Sequence, residues 1–153
     1  MWQLVEQSAW AGAAAVGFAV LFNVPPRALL PCGLSGAAGF AVRATVTTAA
    51  GVSLELASLV AAIAVSLLSL MWGKRLAAPA LIFVIPGVIP LVPGALAFRT
   101  MKDLLLLVTS QQEDVHLLFS VVTHGFRTVL TTAALACGVA VPSLFLRRKR
   151  PMT

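Results

Sequence analysis

A chain of 153 residues that is 59% hydrophobic and only 10% charged cannot clothe a water-facing surface, because a soluble domain carries about 25% charged residues. The composition excludes a soluble domain, and the length suits one membrane unit of roughly four to six spans at about 20 residues each. The formal charge of +6 does not point to nucleic acid, because much of it closes the chain as Arg147-Arg148-Lys149-Arg150, a pattern of cytoplasmic retention and contact with anionic headgroups.

The first apolar run covers residues 4–24 and is stopped by Pro25-Pro26, neither of which can donate a helical hydrogen bond. Asn23 just before them suits a helix-end cap or a polar lining position. The N-terminus carries Glu6, and no Lys or Arg precedes the run, so a retained helix is expected rather than a cleaved signal peptide. The second run, 28–49, holds Pro31, Gly33, Gly36, Gly39 and Arg43, and reads as a full span or a re-entrant segment. Its glycines leave a flank with little bulk and predict close approach of another helix, with a partner subunit or a second copy as neighbour. The third run, 53–72, is uninterrupted and is followed by Lys74 and Arg75.

The fourth run, 76–98, is broken by Pro79, Pro86, Pro90 and Pro93. Arg99, Lys102 and Asp103 then read as a loop, with a short apolar run at 104–108. The last region, 115–146, would be about 48 Å long as a helix, against a hydrocarbon core of roughly 30 Å. Only 128–146 needs to cross; the part before it should lie at the interface or pack on protein. The expected fold is an all-α integral membrane protein, a single domain over 1–153 with a basic tail at 147–153. It has five transmembrane helices, one of them broken by Pro and Gly, or four if 28–49 is re-entrant. Five spans put Arg27, Lys74, Arg75 and the tail on the cytoplasmic side, with Glu6, Glu55 and the mixed stretch of Arg99 and Lys102 opposite, a basic excess inside as the positive-inside rule asks.

Three features can carry function. Within Ile85-Pro86-Gly87-Val88-Ile89-Pro90-Leu91-Val92-Pro93-Gly94 a regular helix is not sustained. Irregular backbone at membrane depth needs burial in protein or a watery cavity. Transporters aim the N-termini of such half-helices at anionic substrate groups. Pro93 suits the first turn of a new helix; a kinked helix satisfied by its neighbours is the plain alternative. Arg43, about mid-span, is costly unless paired or hydrated. It can grip a carboxylate with two parallel hydrogen bonds, snorkel to the interface, or pair with Glu55. A polar stripe of His116, Ser120, Thr123, Arg127 and Thr131 shares one helix face, with His124 nearby. It would line a vestibule or face interfacial water. Cys32 and Cys137 lack metal-ligand spacing and read as packing residues. No nucleophile motif, metal motif or phosphate loop is found, so neither catalysis nor a cofactor or metal is expected.

The runs Val16-Gly17-Phe18-Ala19, Phe22-Asn23-Val24-Pro25 and Arg27-Ala28-Leu29 resemble the threonine/serine exporter family. So do Gly39 with Arg43, Glu55, Ile89-Pro90-Leu91-Val92-Pro93-Gly94 and the closing Arg148-Lys149-Arg150-Pro151. The likeness runs over nearly the whole chain and is to the small, YjjB-type subunit of two-component succinate exporters; the stretch 124–127 departs from the pattern. The resemblance implies a larger partner subunit, a bacterial inner-membrane location and export of small carboxylates or hydroxy amino acids. The expected function is therefore a secondary-exporter subunit moving a small carboxylate, a succinate-like dicarboxylate ahead of threonine or serine. Arg43, Asn23, Pro90, Pro93 and Gly94 would be at the substrate, and His116, Ser120, Thr123 and Arg127 would line the cavity. The alternative is a non-transporting subunit that assembles or gates its partner.

Overall fold

The computed structural model describes residues 2–109 and 115–147, with side chains through Pro142. The basic tail beyond Arg147, and the side of the membrane expected for it, lie outside the described residues. Helices α1 (Trp2–Leu21), α2 (Pro26–Ala50) and α3 (Leu54–Leu76) come first. The short α4 (Leu81–Val88) runs into a 3-10 turn at Ile89–Leu91, and α5 (Gly94–Thr109) and α6 (Val115–Arg147) follow.

Four helices are long and apolar enough to cross a membrane. The pair Leu81–Leu91 and Gly94–Thr109, bent by 49°, makes a fifth when counted as one span. The protein is an all-α, multi-pass membrane protein. Residues 28–49, the segment open to a re-entrant reading, lie within the 25-residue α2. Pro31 is accommodated inside that helix.

The α1–α2 turn shows how the chain reverses. Asn23 takes a left-handed conformation at φ 56°, which asparagine tolerates better than most residues. Around it the Val24 amide donates to the Ala19 carbonyl at 2.9 Å, closing the helix end as a Schellman motif does. Pro26 then opens α2, where a missing N–H costs nothing. Of the two sequence readings for Asn23, the helix-end role is the one this geometry fits.

Small residues set the packing. The glycines of α2 meet helices of this same chain, so their flank is filled without a partner subunit or second copy. A methyl built on Gly36 would stand 2.5 Å from the Ala15 Cβ, and one on Gly33 2.8 Å from the Val16 Cγ2. On Gly39 it would meet the Val65 Cγ2 at 2.5 Å. Those contacts pair α2 antiparallel with α1 on one side and with α3 on the other. Helix α3 buries Ala57, Ser58, Ala61, Ala62, Val65, Ser66, Ser69 and Gly73, a stripe in steps of three and four residues that tracks one side of the helix. In membranes, where lipid is as apolar as leucine, this close approach of small residues is what holds helices together.

Helix α6 lies parallel to α3. Arg127 reaches Glu55 near the start of α3, and Gly138 packs against Leu59 and Ala62. Farther along, Ser66 Oγ donates to the Val139 carbonyl at 3.3 Å. The 33 residues of α6 span about 50 Å, so its first part extends past the start of α3. There it packs on α5, one of the two placements expected for residues before 128. The other expectation fails: Arg99, Lys102 and Asp103 are not in a loop, and 104–108 is not a separate run. All belong to the continuous α5. The loop reading took clustered charge as an end of helix, whereas Asp103 among them ties α5 to Ser120 of α6. Cys137 is also not a packing residue, because it is exposed on α6.

Candidate functional site

The break in the fourth span is narrower than the proline count suggests. Helix α4 runs through Pro86 unbroken, and the irregular stretch is confined to residues 89–93. Val92 is extended, at φ −62° and ψ 130°, because the residue before a proline is pushed out of the helical region. A new helix starts directly after Pro93, whose carbonyl accepts from the Leu96 and Ala97 amides at 3.1 Å.

Two of the carbonyls left without a helical donor, those of Ile82 and Leu91, find a replacement on α2. Pro86 has no N–H for the carbonyl four residues earlier, and Cys32 Sγ donates to that Ile82 oxygen at 3.4 Å. The break after Leu91 frees a second carbonyl, which accepts from Arg43 Nη1 at 2.7 Å. An unsatisfied carbonyl in hydrocarbon costs several kcal/mol, so both bonds stabilise the broken span.

Arg43 therefore does neither of the plain things open to it. It does not snorkel: its guanidinium lies against the Phe40 ring at 5.2 Å and points to the break. It does not pair with Glu55, which is 3.7 Å from Arg127. Leu91 uses only part of a guanidinium fork with several donors. Pro90 and Pro93 flank the carbonyl that Arg43 holds, and Gly94, exposed, begins α5. These four expected site residues are gathered around the break. Asn23 is not with them, because it lies at the other end of α2, about 25 Å along the helix. Beside that end is an apolar cavity of about 310 Å³ lined by Phe22, Val24, Leu81, Ile82, Ile85 and Pro86.

The stripe on α6 is only partly turned toward other helices. Ser120 Oγ donates to Asp103 Oδ2 of α5 at 2.9 Å and stands 3.3 Å from His124 Nδ1. That nitrogen is 3.5 Å from the same carboxylate oxygen. Thr131 is buried and bonds back to the Arg127 carbonyl at 2.7 Å. Thr123 is half-buried and His116 exposed on the same helix. The group that sequence reading passed over is Asp103, buried although it sits among exposed residues of α5. Its signal was present in the sequence, because Arg99, Asp103 and Leu107 fall on one helix face, but the loop reading hid it. Among the described residues no three His, Cys, Asp or Glu side chains are grouped to hold a metal ion.

Residues 7–145 match the model of the family described as Threonine/Serine exporter, ThrE. No solved structure matches the chain.

Proposed function

The chain belongs to the threonine/serine exporter family, and from that premise we propose that it is one subunit of a secondary exporter. It moves small carboxylates out of the cell across the bacterial inner membrane, working with a larger subunit of the same family. The basic ends at Arg27, Lys74 and Arg75 and the terminal tail lie in the cytoplasm, as the distribution of charge supports.

The carrying observation is Arg43 bonded to the Leu91 carbonyl at the break. A substrate carboxylate would engage the rest of that guanidinium, and the positive end of α5 after Pro93 would provide a second anchor. Pro90, Pro93 and Gly94 shape this place, while Asn23 serves the turn at the other end of α2. Two such anchors suit a succinate-like dicarboxylate; threonine or serine uses one and leaves its ammonium to an acceptor on the partner. His116, Ser120, Thr123 and Arg127 flank the approach on α6.

Efflux of labelled succinate and threonine from cells making both subunits tests this reading. Arg43→Gln should cut efflux at least roughly tenfold, the loss of one charge-assisted hydrogen bond, in a complex that still assembles. Unchanged efflux would remove Arg43 from the substrate. Efflux by the partner alone would instead make this chain an assembly or gating subunit.

A further inference from the structure

Asp103 is the one carboxylate on α5, and it is buried against α6 at the end of the bundle where α3 begins. A carboxylate there needs compensation. It receives the Ser120 hydroxyl at 2.9 Å, and His124 Nδ1 stands 3.5 Å away. We propose that Asp103, Ser120 and His124 form a proton-binding site that latches α5 onto α6. The ligand is a proton from the adjoining water, taken up on the imidazole.

The geometry favours this for three reasons. First, the tie is polar, while many of the large apolar side chains of the hairpin, Phe98, Met101, Leu105, Phe119 and Val122 among them, are exposed. Second, α5 follows directly on the bend at residues 92–93 and packs chiefly on α6. A change in that contact therefore re-aims α5 about the bend. Third, imidazole is the side chain that ordinarily changes charge between about pH 5 and 8, and here it faces a carboxylate. A protonated His124 sets a positive charge and an obligatory Nδ1–H against the Asp103 carboxylate; a neutral one leaves that contact without the opposite charge.

The other charged groups around the site are accounted for. Lys102 Nζ is 3.7 Å from Asp103 Oδ1 but more than half exposed, and Arg99 lies one turn earlier on α5. On α6, His116 lies one turn before Ser120, and Arg127 is turned to Glu55 of α3. Of the two basic groups within 4 Å of the Asp103 carboxylate, Lys102 meets Oδ1 and His124 meets Oδ2. Because the first turn of α5 is the substrate anchor only in the proposed function above, the consequence of the latch for export rests on that reading.

The latch itself is tested without substrate, by hydrogen–deuterium exchange of the full-length chain in lipid nanodiscs, corrected for intrinsic exchange rates. Amides of α5 should be roughly tenfold better protected at about pH 5 than at about pH 8, while those of α3 stay level. His124→Gln should flatten the response of α5. Asp103→Asn should flatten it and leave protection low throughout. Ser120→Ala, the mildest change, should weaken protection at both pH values. A wild-type α5 equally protected at both, or a pH response that survives in both His124→Gln and Asp103→Asn, would overturn the latch. Arg43→Gln should keep the pH response. Loss of efflux dependence on Arg43 with that response intact would sink the export reading and leave the latch standing.

Discussion

Between α1 and α2 the backbones themselves approach: Gly12 and Gly33 face each other, and Gly36 sits against Ala11 and Ala15. Between α5 and α6 almost nothing of the kind occurs. A methyl on Gly125 would meet only the Thr100 Cγ2, at 3.3 Å, and Asp103, Ser120 and His124 make the connection instead. The first region is held by many short-range contacts that no single proton alters. In the second, among the described residues, a polar junction of Asp103, Ser120 and His124 joins two helices whose outer faces are apolar and exposed. The bundle is thus built to stay, and the hairpin to respond.

The largest test of that contrast is Gly36→Leu. Backbone and Cβ atoms of α1 lie within 2.5–3.2 Å of the added carbon, so the helices must separate, at a cost of at least about 3 kcal/mol. Unfolding in micelles by SDS titration should show it. Gly125→Ala should shift the same transition by no more than about 0.5 kcal/mol, because the flexible end of Thr100 can move. A large effect at Gly125 would erase the distinction between the regions.

Next comes Arg43→Leu, which leaves the Leu91 carbonyl without its donor. The expected loss is about 2 kcal/mol, with Arg43→Lys recovering part of it. Cys32→Ala should cost less, about 1 kcal/mol, because a thiol is a weak donor; Cys32→Ser should retain the bond to Ile82. The smallest effect belongs to Arg127→Gln. Its side chain is 57% exposed and 3.7 Å from Glu55, so stability should change by only a few tenths of a kcal/mol. A loss as large as that of Arg43→Leu would show that the tie between α3 and α6 is electrostatic rather than packed.

Hydropathy and proline placement made the spans legible, because a run of apolar residues and a missing N–H act locally. The break was legible for the same reason, although Pro86 was expected to disturb α4 and does not. What lay beyond the sequence was partnership at a distance. Arg43 and Leu91 are 48 residues apart, and Cys32 and Ile82 are 50 apart; no period or motif links them. Asp103 was misplaced because charge in a short stretch looks like a loop when the helix that buries one side of it is unknown. The glycine flank was read correctly as a close contact, but its neighbours are α1 and α3 of this chain.

Two freed carbonyls of the fourth span, those of Ile82 and Leu91, are answered from α2, and this bears on how the chain is made. A ribosome releases α2 well before α4, so the two donors are already in the bilayer when the broken segment leaves the insertion machinery. Alone in hydrocarbon that segment would carry two bare carbonyls and resist insertion. With α2 waiting, each carbonyl meets its donor as it arrives. The order of the helices in the gene is then also the order in which the membrane can accept them. A circular permutant that places the fourth span ahead of α2 should insert poorly even though every contact of the finished protein is available to it.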